Sequence, residues 1–453
     1  MLLTLPPFLD HQTSDGPYPM NALHLNCLLR RVRTMRVISK GIAAGVVLFG
    51  TPLVTAQVVG GIDYSARSNP ADTFEMTSDD VFGKRFASEY LTLVDEVTGA
   101  EIIALTTSRH QNSKVYQTHP QWTPDGRYII FRSSRGGNDE GRRGFSYAIS
   151  MENYEIVQVT TGDWGNDLHL GWKQNRAWFF EDGELKELDL GRLLSDSEKS
   201  TVGEPSSYLR SIATLPEGLS PSGGVGLDAS EQRLFFAARL PDGGSGIYGI
   251  DFATGATTQL VEVPFRANHL QANPYVSGEI MYCWETGGDA PQRMWFLTVQ
   301  PDGSVENRPV YVEKPTEWVT HEVFVGPDHI MFNVMAHLDR LRENPTGIFT
   351  LNLRTNEHTN HGQIGKGGYW HCDGTRDLKW AVGDSFDGDL YRLNLTTGES
   401  TLLTTGHRPN SEGPFTREAH SHHNISPDGK WVLLNSSMLT ESDIMLVRLH
   451  PDE

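Results

Sequence analysis

The chain has little cysteine, little helical periodicity and no long apolar run, and each lack removes a class of protein. Only three cysteines occur in 453 residues, Cys27, Cys283 and Cys372. They make no C-x-x-C pair and no disulfide framework, so neither a thiolate metal site nor a disulfide scaffold organises the fold. Positive charge is scarce as well: 38 Lys and Arg stand against 57 Asp and Glu, for a formal net charge of −19. With no basic stripe, neither nucleic acid nor an anionic membrane is expected as a partner. The histidine-bearing loops described below also lack the pair of carboxylates that a hydrolytic glycosidase requires.

The N-terminus reads as an export signal with an extension in front. Met35-Arg36-Val37-Ile38-Ser39-Lys40 forms a basic start, Gly41 to Leu53 a short apolar stretch, and Val54-Thr55-Ala56 a small-residue cleavage site. The apolar stretch is short for a membrane span. Residues 1–56 are therefore expected to be removed, leaving a periplasmic or secreted protein, with 57–84 as a linker and 85–453 as the working domain.

What the chain does have is a repeat. Turn residues recur ahead of short apolar, β-rich runs: Thr123-Pro124-Asp125-Gly126 before Tyr128–Phe131, Gly326-Pro327-Asp328 before Ile330–Phe332, Ser426-Pro427-Asp428-Gly429 before Trp431–Leu434. Further runs lie at Ala177–Phe180, Leu234–Ala237, Ile280–Cys283 and Trp380–Val382. The period is about 40–50 residues, which is the spacing of propeller blades. Seven units predict an all-β, seven-bladed β-propeller, a single ring because no blade can bury both its faces alone. Residues 191–219 fit no unit and are expected to form a loop between blades. Most of the tryptophans, Trp178 among them, are read as blade packing.

Propellers place their sites at one mouth of the axial channel, where blades converge. The segment just before each repeat turn is rich in histidine: His119, His269, His321, His371, and the pair His420 and His422. A lone H-x-H says little, but histidine at the same place in five blades points to one shared site. Neutral imidazoles suit Mn, Fe, Ni, Cu or Zn better than Mg or Ca. His321, His420 and His422 could supply three nitrogens to an ion, with Glu418 or water adding an oxygen. His269, with an ordinary pKa near 6.5, could serve as a general base.

These residues resemble the oligogalacturonate lyases, the seven-bladed pectate lyase family 22. The likeness lies in Phe86 to Thr106, in Arg293-Met294-Trp295, in Thr320-His321-Glu322, in Ala419-His420-Ser421-His422, and in Val382-Gly383-Asp384 eleven residues after His371. It spans residues 86–449, and the order and spacing of the motifs are its specific part. It implies a manganese-dependent β-elimination on short pectic fragments. It assigns His321, His420 and His422 to the metal and His269 to the base. This chain departs from the family in two places. Arg417 stands where the family has a ligating glutamine, so Glu418, His371 or water must complete the site. About Gly246 stands where the family has a site arginine, leaving Arg239, Arg266 or Arg293 to take that part.

The expected activity is therefore that of a carbon–oxygen lyase on oligogalacturonate or a related uronate, with Mn2+ or another divalent transition metal as cofactor. The base removes the C5 proton, and metal and arginine stabilise the charge that builds on the neighbouring carboxylate. Arg293 and Arg266 are the expected catalytic cations. His119, His371, Trp370 and Arg239 are expected to bind substrate, with Trp370 stacking on a sugar face. Two other classes are open to the same sequence: a non-catalytic periplasmic propeller that binds proteins, and a lyase for another polyuronate such as ulvan or alginate.

Overall fold

The computed structural model describes residues 81–108, 110–135, 144–161, 168–365, 367–408 and 420–450, and the backbone of a two-stranded hairpin at Val58–Val59 and Ile62–Asp63. The leader, Arg417 and Glu418 lie outside the described residues.

Seven antiparallel sheets form the seven blades expected. The apolar runs picked out above are the second strands of successive blades: Tyr128–Ser133, Ala177–Glu181, Arg233–Arg239, Glu279–Trp284, His329–Val334, Trp380–Ser385 and Trp431–Ser436. Each is buried on both faces because neighbouring blades cover it, so these segments read as continuous apolar runs and not as alternating ones. The core accordingly lies between blades. Phe235, Ile247 and Val263 of blade three, for example, pack with Leu270, Ile280 and Leu297 of blade four.

The repeat turns are built by their own side chains. In the first, the Thr123 hydroxyl donates to Asp125 Oδ1 at 2.6 Å and Gly126 N–H donates to Thr123 O at 2.8 Å. Gly126 sits at φ +71°, a conformation that costs glycine nothing. Ser426, Asp428 and Gly429 repeat the arrangement in the last blade.

Three features depart from the sequence reading. The ring closes with mixed strands: Leu91–Val94 and Glu101–Ala104 join Asn424–Ile425, Trp431–Ser436 and Asp443–Arg448 in blade seven, with Leu446 opposite Ile103. Val81 and Phe82, inside the stretch expected to be linker, are buried, Phe82 against blade one, ahead of the edge strand Arg85–Phe86 that pairs with Ile156 and Val157. Residues 191–219 are not a loop between blades. They hold the helix Leu190–Glu198, capped by Asp189, a 3-10 turn at Pro205–Tyr208, and the outer strand Leu209–Thr214 of blade two. The helix buries Leu190, Leu193 and Leu194 against the Phe82 and Tyr128 cluster. The spacing of those leucines after an Asp cap was a helix signal in plain sight.

Candidate functional site

The innermost strands do not run as simple strands past the axis. In blade four, Asn268 pairs with Cys283 and Gln271 with Met281, so one extra residue is fitted between them. The same slip occurs in blade five between Thr320 and Val323, and in blade six between Tyr369 and Cys372. Such a bulge bends the strand and re-aims a side chain. The residues in the bulges are His269-Leu270, His321-Glu322 and Trp370-His371. His269 and His321 adopt φ of +51° and +60°, and His422 in blade seven adopts +41°. Positive φ is uncommon outside glycine, and its recurrence at three histidines of one mouth marks a functional constraint. Blade three has glycine at this place: Gly223 and Gly224, at φ +119° and +102°, pass so close to blade four that a Cβ on Gly223 would stand 2.4 Å from Ala267 O.

Histidine side chains meet on the axis. One ligand nitrogen from each of His371, His420 and His422 lies within 4.8 Å of the others. His420 Nδ1 and His422 Nε2 are 3.3 Å apart, a separation that suits two nitrogens sharing one ion at bonds of about 2.0–2.1 Å. The His321 ring lies beside them, tilted, its centroid 4.1 Å from that of His371.

The bonds around the cluster fix which nitrogens are free. His371 Nδ1 faces both oxygens of Asp384, at 3.0 and 3.1 Å, and Asp384 also accepts from His371 N–H at 2.7 Å and the Ser421 hydroxyl at 2.7 Å. Burial would raise Asp384, but the His371 imidazole outweighs it and holds the carboxyl well below its usual range. An ionised carboxylate only accepts, so Nδ1 carries a proton and Nε2 is the ring nitrogen turned away from Asp384. That Nε2 is buried and has no hydrogen-bond partner. A carboxylate behind a histidine whose far nitrogen is unpartnered is the usual arrangement around a ligating imidazole. His321 Nδ1 is likewise held by Trp370 O. Burial first, then neighbouring imidazoles, push His321 and His422 well below 6.5, so both are neutral and able to ligate.

The backbone of the H-x-H segment is pinned from outside. Asn435 Nδ2 donates to His420 O at 3.1 Å, Asn435 N–H donates to Ser421 O at 2.9 Å, and Nζ of the wholly buried Lys114 donates to His422 O and, at 2.9 Å, to Val115 O. His423 turns away, its Nε2 2.9 Å from Val382 O.

His269 sits across Tyr116 from this cluster. The Tyr116 ring lies edge-on to both, 5.1 Å from His269 and 4.8 Å from His422. Glu285 Oε2 is 3.4 Å from His269 Nε2 and 3.2 Å from Arg293 Nη1. Burial would raise Glu285, yet its bond to His269 and the Arg293 charge bring it down to about 2. Glu285 therefore faces the Nε2 edge of His269.

The expected site residues are distributed as follows. His371, His420 and His422 converge, and His321 adjoins them. His371, expected to bind substrate or to complete the metal site, has a nitrogen in the converging set. Arg293 does not face a ligand. It is 2% exposed and held by Glu285 and by Glu322 at 2.6 Å, so its charge is already neutralised beneath His269. Arg266 and Arg239 are exposed at the edges of their blades. Trp370 has no open face for a sugar, being 4% exposed, stacked on Phe386, covered by the Arg408 guanidinium and set against His420. His119 stands apart, with its ring 5.0 Å from that of His169.

A cavity of about 710 Å3 opens from His269 and His422. Tyr116, His119 and Arg132 line it, and so do Gly223 and Gly224. Tyr116, Asp384, Glu285 and Lys114 are the residues that sequence reasoning missed. Only Asp384 had a signal, through its place after His371.

No protein-family model and no curated protein matches this chain. Solved structures do. An oligogalacturonate lyase from Vibrio parahaemolyticus is 18% identical, with a TM-score of 0.67, over 81% of this chain and 98% of its own. A second oligogalacturonate lyase, in complex with manganese, is 19% identical with the same TM-score and coverage. At this identity the likeness establishes the seven-bladed fold.

Proposed function

We propose that the protein is a metal-dependent lyase that cleaves oligogalacturonate or a related uronate by β-elimination. The observation that carries this reading is the convergence of one ligand nitrogen from each of His371, His420 and His422, the Nε2 of His371 being buried and unpartnered. His269 lines the cavity alongside one of them. The manganese in one of the similar lyases supports the choice of Mn2+ or another divalent transition metal. His371, His420 and His422 would hold the ion, with His321 beside them. Bound there, it supplies Lewis acidity toward a substrate carboxylate.

The chain's own residues do the rest. Glu285 orients His269 and, being ionised, stabilises the imidazolium that forms when His269 takes the C5 proton. Arg293 keeps Glu285 in place. The electrons of the broken C5–H bond become the C4–C5 double bond. The C4–O4 bond breaks, and the departing O4 takes up a proton. The substrate would be met outside the cytoplasm if the basic and apolar N-terminal stretch is an export signal.

Replacing the base tests this reading. His269→Gln should lower kcat by about 10²–10⁴-fold and leave the bound metal per chain unchanged. An unchanged kcat would remove His269 from the reaction.

A further inference from the structure

A second cavity, also of about 710 Å3, lies at the other ends of the inner strands, among the repeat turns at 123–124 and 426–429. None of the converging histidines lines it. Three buried, oxygen-bearing side chains from neighbouring blades meet in its wall. Gln117 comes from the segment between Asn112–Lys114 and Tyr128–Ser133 of blade one, Asp373 from the inner strand Tyr369–Gly374 of blade six, and Asn424 from Asn424–Ile425 of blade seven. They are 3%, 8% and 9% exposed, so each is enclosed by protein. We propose that their oxygens bind a calcium ion, apart from the histidine centre, and that this ion ties the blades on either side of the ring closure.

The nitrogens of the two amides fix where their oxygens point. Gln117 Nε2 donates to Cys372 O at 3.4 Å and to His321 O at 3.5 Å, and Asn424 Nδ2 donates to Gln117 O at 2.7 Å and lies 3.4 Å from Asp373 Oδ2. Turning either amide over would set oxygen against oxygen. Gln117 Oε1 and Asn424 Oδ1 therefore face away from these partners, and both are buried acceptors that no donor meets. Gln121 Oε1, in the same wall, is a third. Asp373 accepts only from neutral groups, Gly374 N–H and Ile425 N–H at 2.8 Å and the Asn424 amide. The buried Lys114 does not pair with it, its Nζ being turned to His422 O and Val115 O. A water meets two acceptors with its two hydrogens but leaves the buried charge of Asp373 standing; a cation answers both. One carboxylate with neutral carbonyl oxygens, and no nitrogen or sulfur, is a set for a hard cation. Calcium takes about six to eight such oxygens in flexible geometry, with water in the remaining places, whereas magnesium demands a regular octahedron. A single carboxylate predicts binding at the weak end, with a Kd of about 10⁻⁴–10⁻³ M.

The test titrates Ca2+ into the protein already saturated with Mn2+, reading bound Ca2+ by equilibrium dialysis and Tm by circular dichroism. About one Ca2+ per chain should bind, with a midpoint of about 0.1–1 mM. Calcium at about 10 mM should raise Tm by about 2–4 °C, because it binds the folded chain alone, and Mg2+ at the same concentration should not. Gln117→Met and Asp373→Asn should each shift the midpoint up by about tenfold or more. His420→Ala should leave it where it is. Without calcium, Gln117→Met should be at least as stable as wild type, since it removes a buried acceptor that has no donor; its lost calcium response then reports the site and not the fold. No bound Ca2+ at about 10 mM, an equal Tm rise from Mg2+, or an unchanged midpoint in Gln117→Met would overturn the assignment. A response lost in His420→Ala would place the ion at the histidines and overturn it too.

Discussion

At the scale of single residues, the candidate centre depends on which nitrogen of each histidine is free. Asp384 sets that for His371, so Asp384→Asn should keep the fold and weaken metal binding by about 10–100-fold. His371→Ala should abolish binding at the same metal concentration. Competition against a chelating dye reads both. Equal affinity in Asp384→Asn and wild type would mean that His371 does not ligate.

The histidines themselves were legible in the sequence. That they share one mouth was legible too; which three converge was not, because that depends on bulges. A one-residue slip sends a side chain to the opposite face. In blade six the bulge puts Trp370 where the neighbouring blades have histidine, and moves His371 to the second position. No reading of spacing alone finds that slip. The arginines failed for another reason. Arg293 looks like a substrate ligand until Glu285 and Glu322 are seen on either side of it.

A second residue-scale prediction concerns pH. Asp443 is fully buried, and burial, reinforced by the nearby Glu89 charge, pushes its carboxyl up to about 8. Its folded-state value lies above its unfolded one. The contribution is therefore fully present below about pH 4 and declines as pH rises toward 8. Asp443→Asn, which cannot ionise, should lose less Tm than wild type between pH 5 and pH 8. Parallel Tm curves for the two proteins would contradict this.

At the scale of elements, the inner strands do two jobs that pull against each other. They must pair with the second strand of their blade, and they must carry backbone in positive φ at the mouth. In blade three only glycine satisfies both. Gly224→Ala meets φ +102° and a Cβ 2.9 Å from Leu270 N. The substitution should cost about 1–3 kcal/mol, measured by urea denaturation. It should also raise KM by disturbing the cavity wall. Stability equal to wild type would show that this strand has room to move.

The second strands were readable as buried runs, and the repeat turns as Pro-Asp-Gly signals, because both depend on local chemistry. The helix Leu190–Glu198 was missed because the β repeat around it dominated the pattern. Its own leucine spacing was nonetheless helical.

At the scale of the whole molecule, the ring holds because its last blade is shared between the two ends of the chain. Asp443–Arg448 pairs with Glu101–Ala104, from the other end of the ring, through Val447 opposite Ile102 and Met445 opposite Ala104. Buried Leu93, Ile102, Val432 and Met445 then form one cluster across that seam. Removing residues from Asp443 onward should expose two strand edges and abolish cooperative unfolding. A sharp thermal transition in the truncated chain would contradict this closure. The number of blades could be counted from the sequence. The closure could not, since nothing local marks Leu91–Val94 as belonging to the last blade.

The central claim concerns chemistry, and one measurement tests it most directly. Purified protein is incubated with trigalacturonate, and the ultraviolet absorbance of a C4–C5 unsaturated uronate is followed, with a chelator and then with Mn2+ restored. The account predicts a rise that the chelator stops and Mn2+ brings back. Metal bound at His371, His420 and His422 with no unsaturated product from trigalacturonate or any other uronate would contradict it.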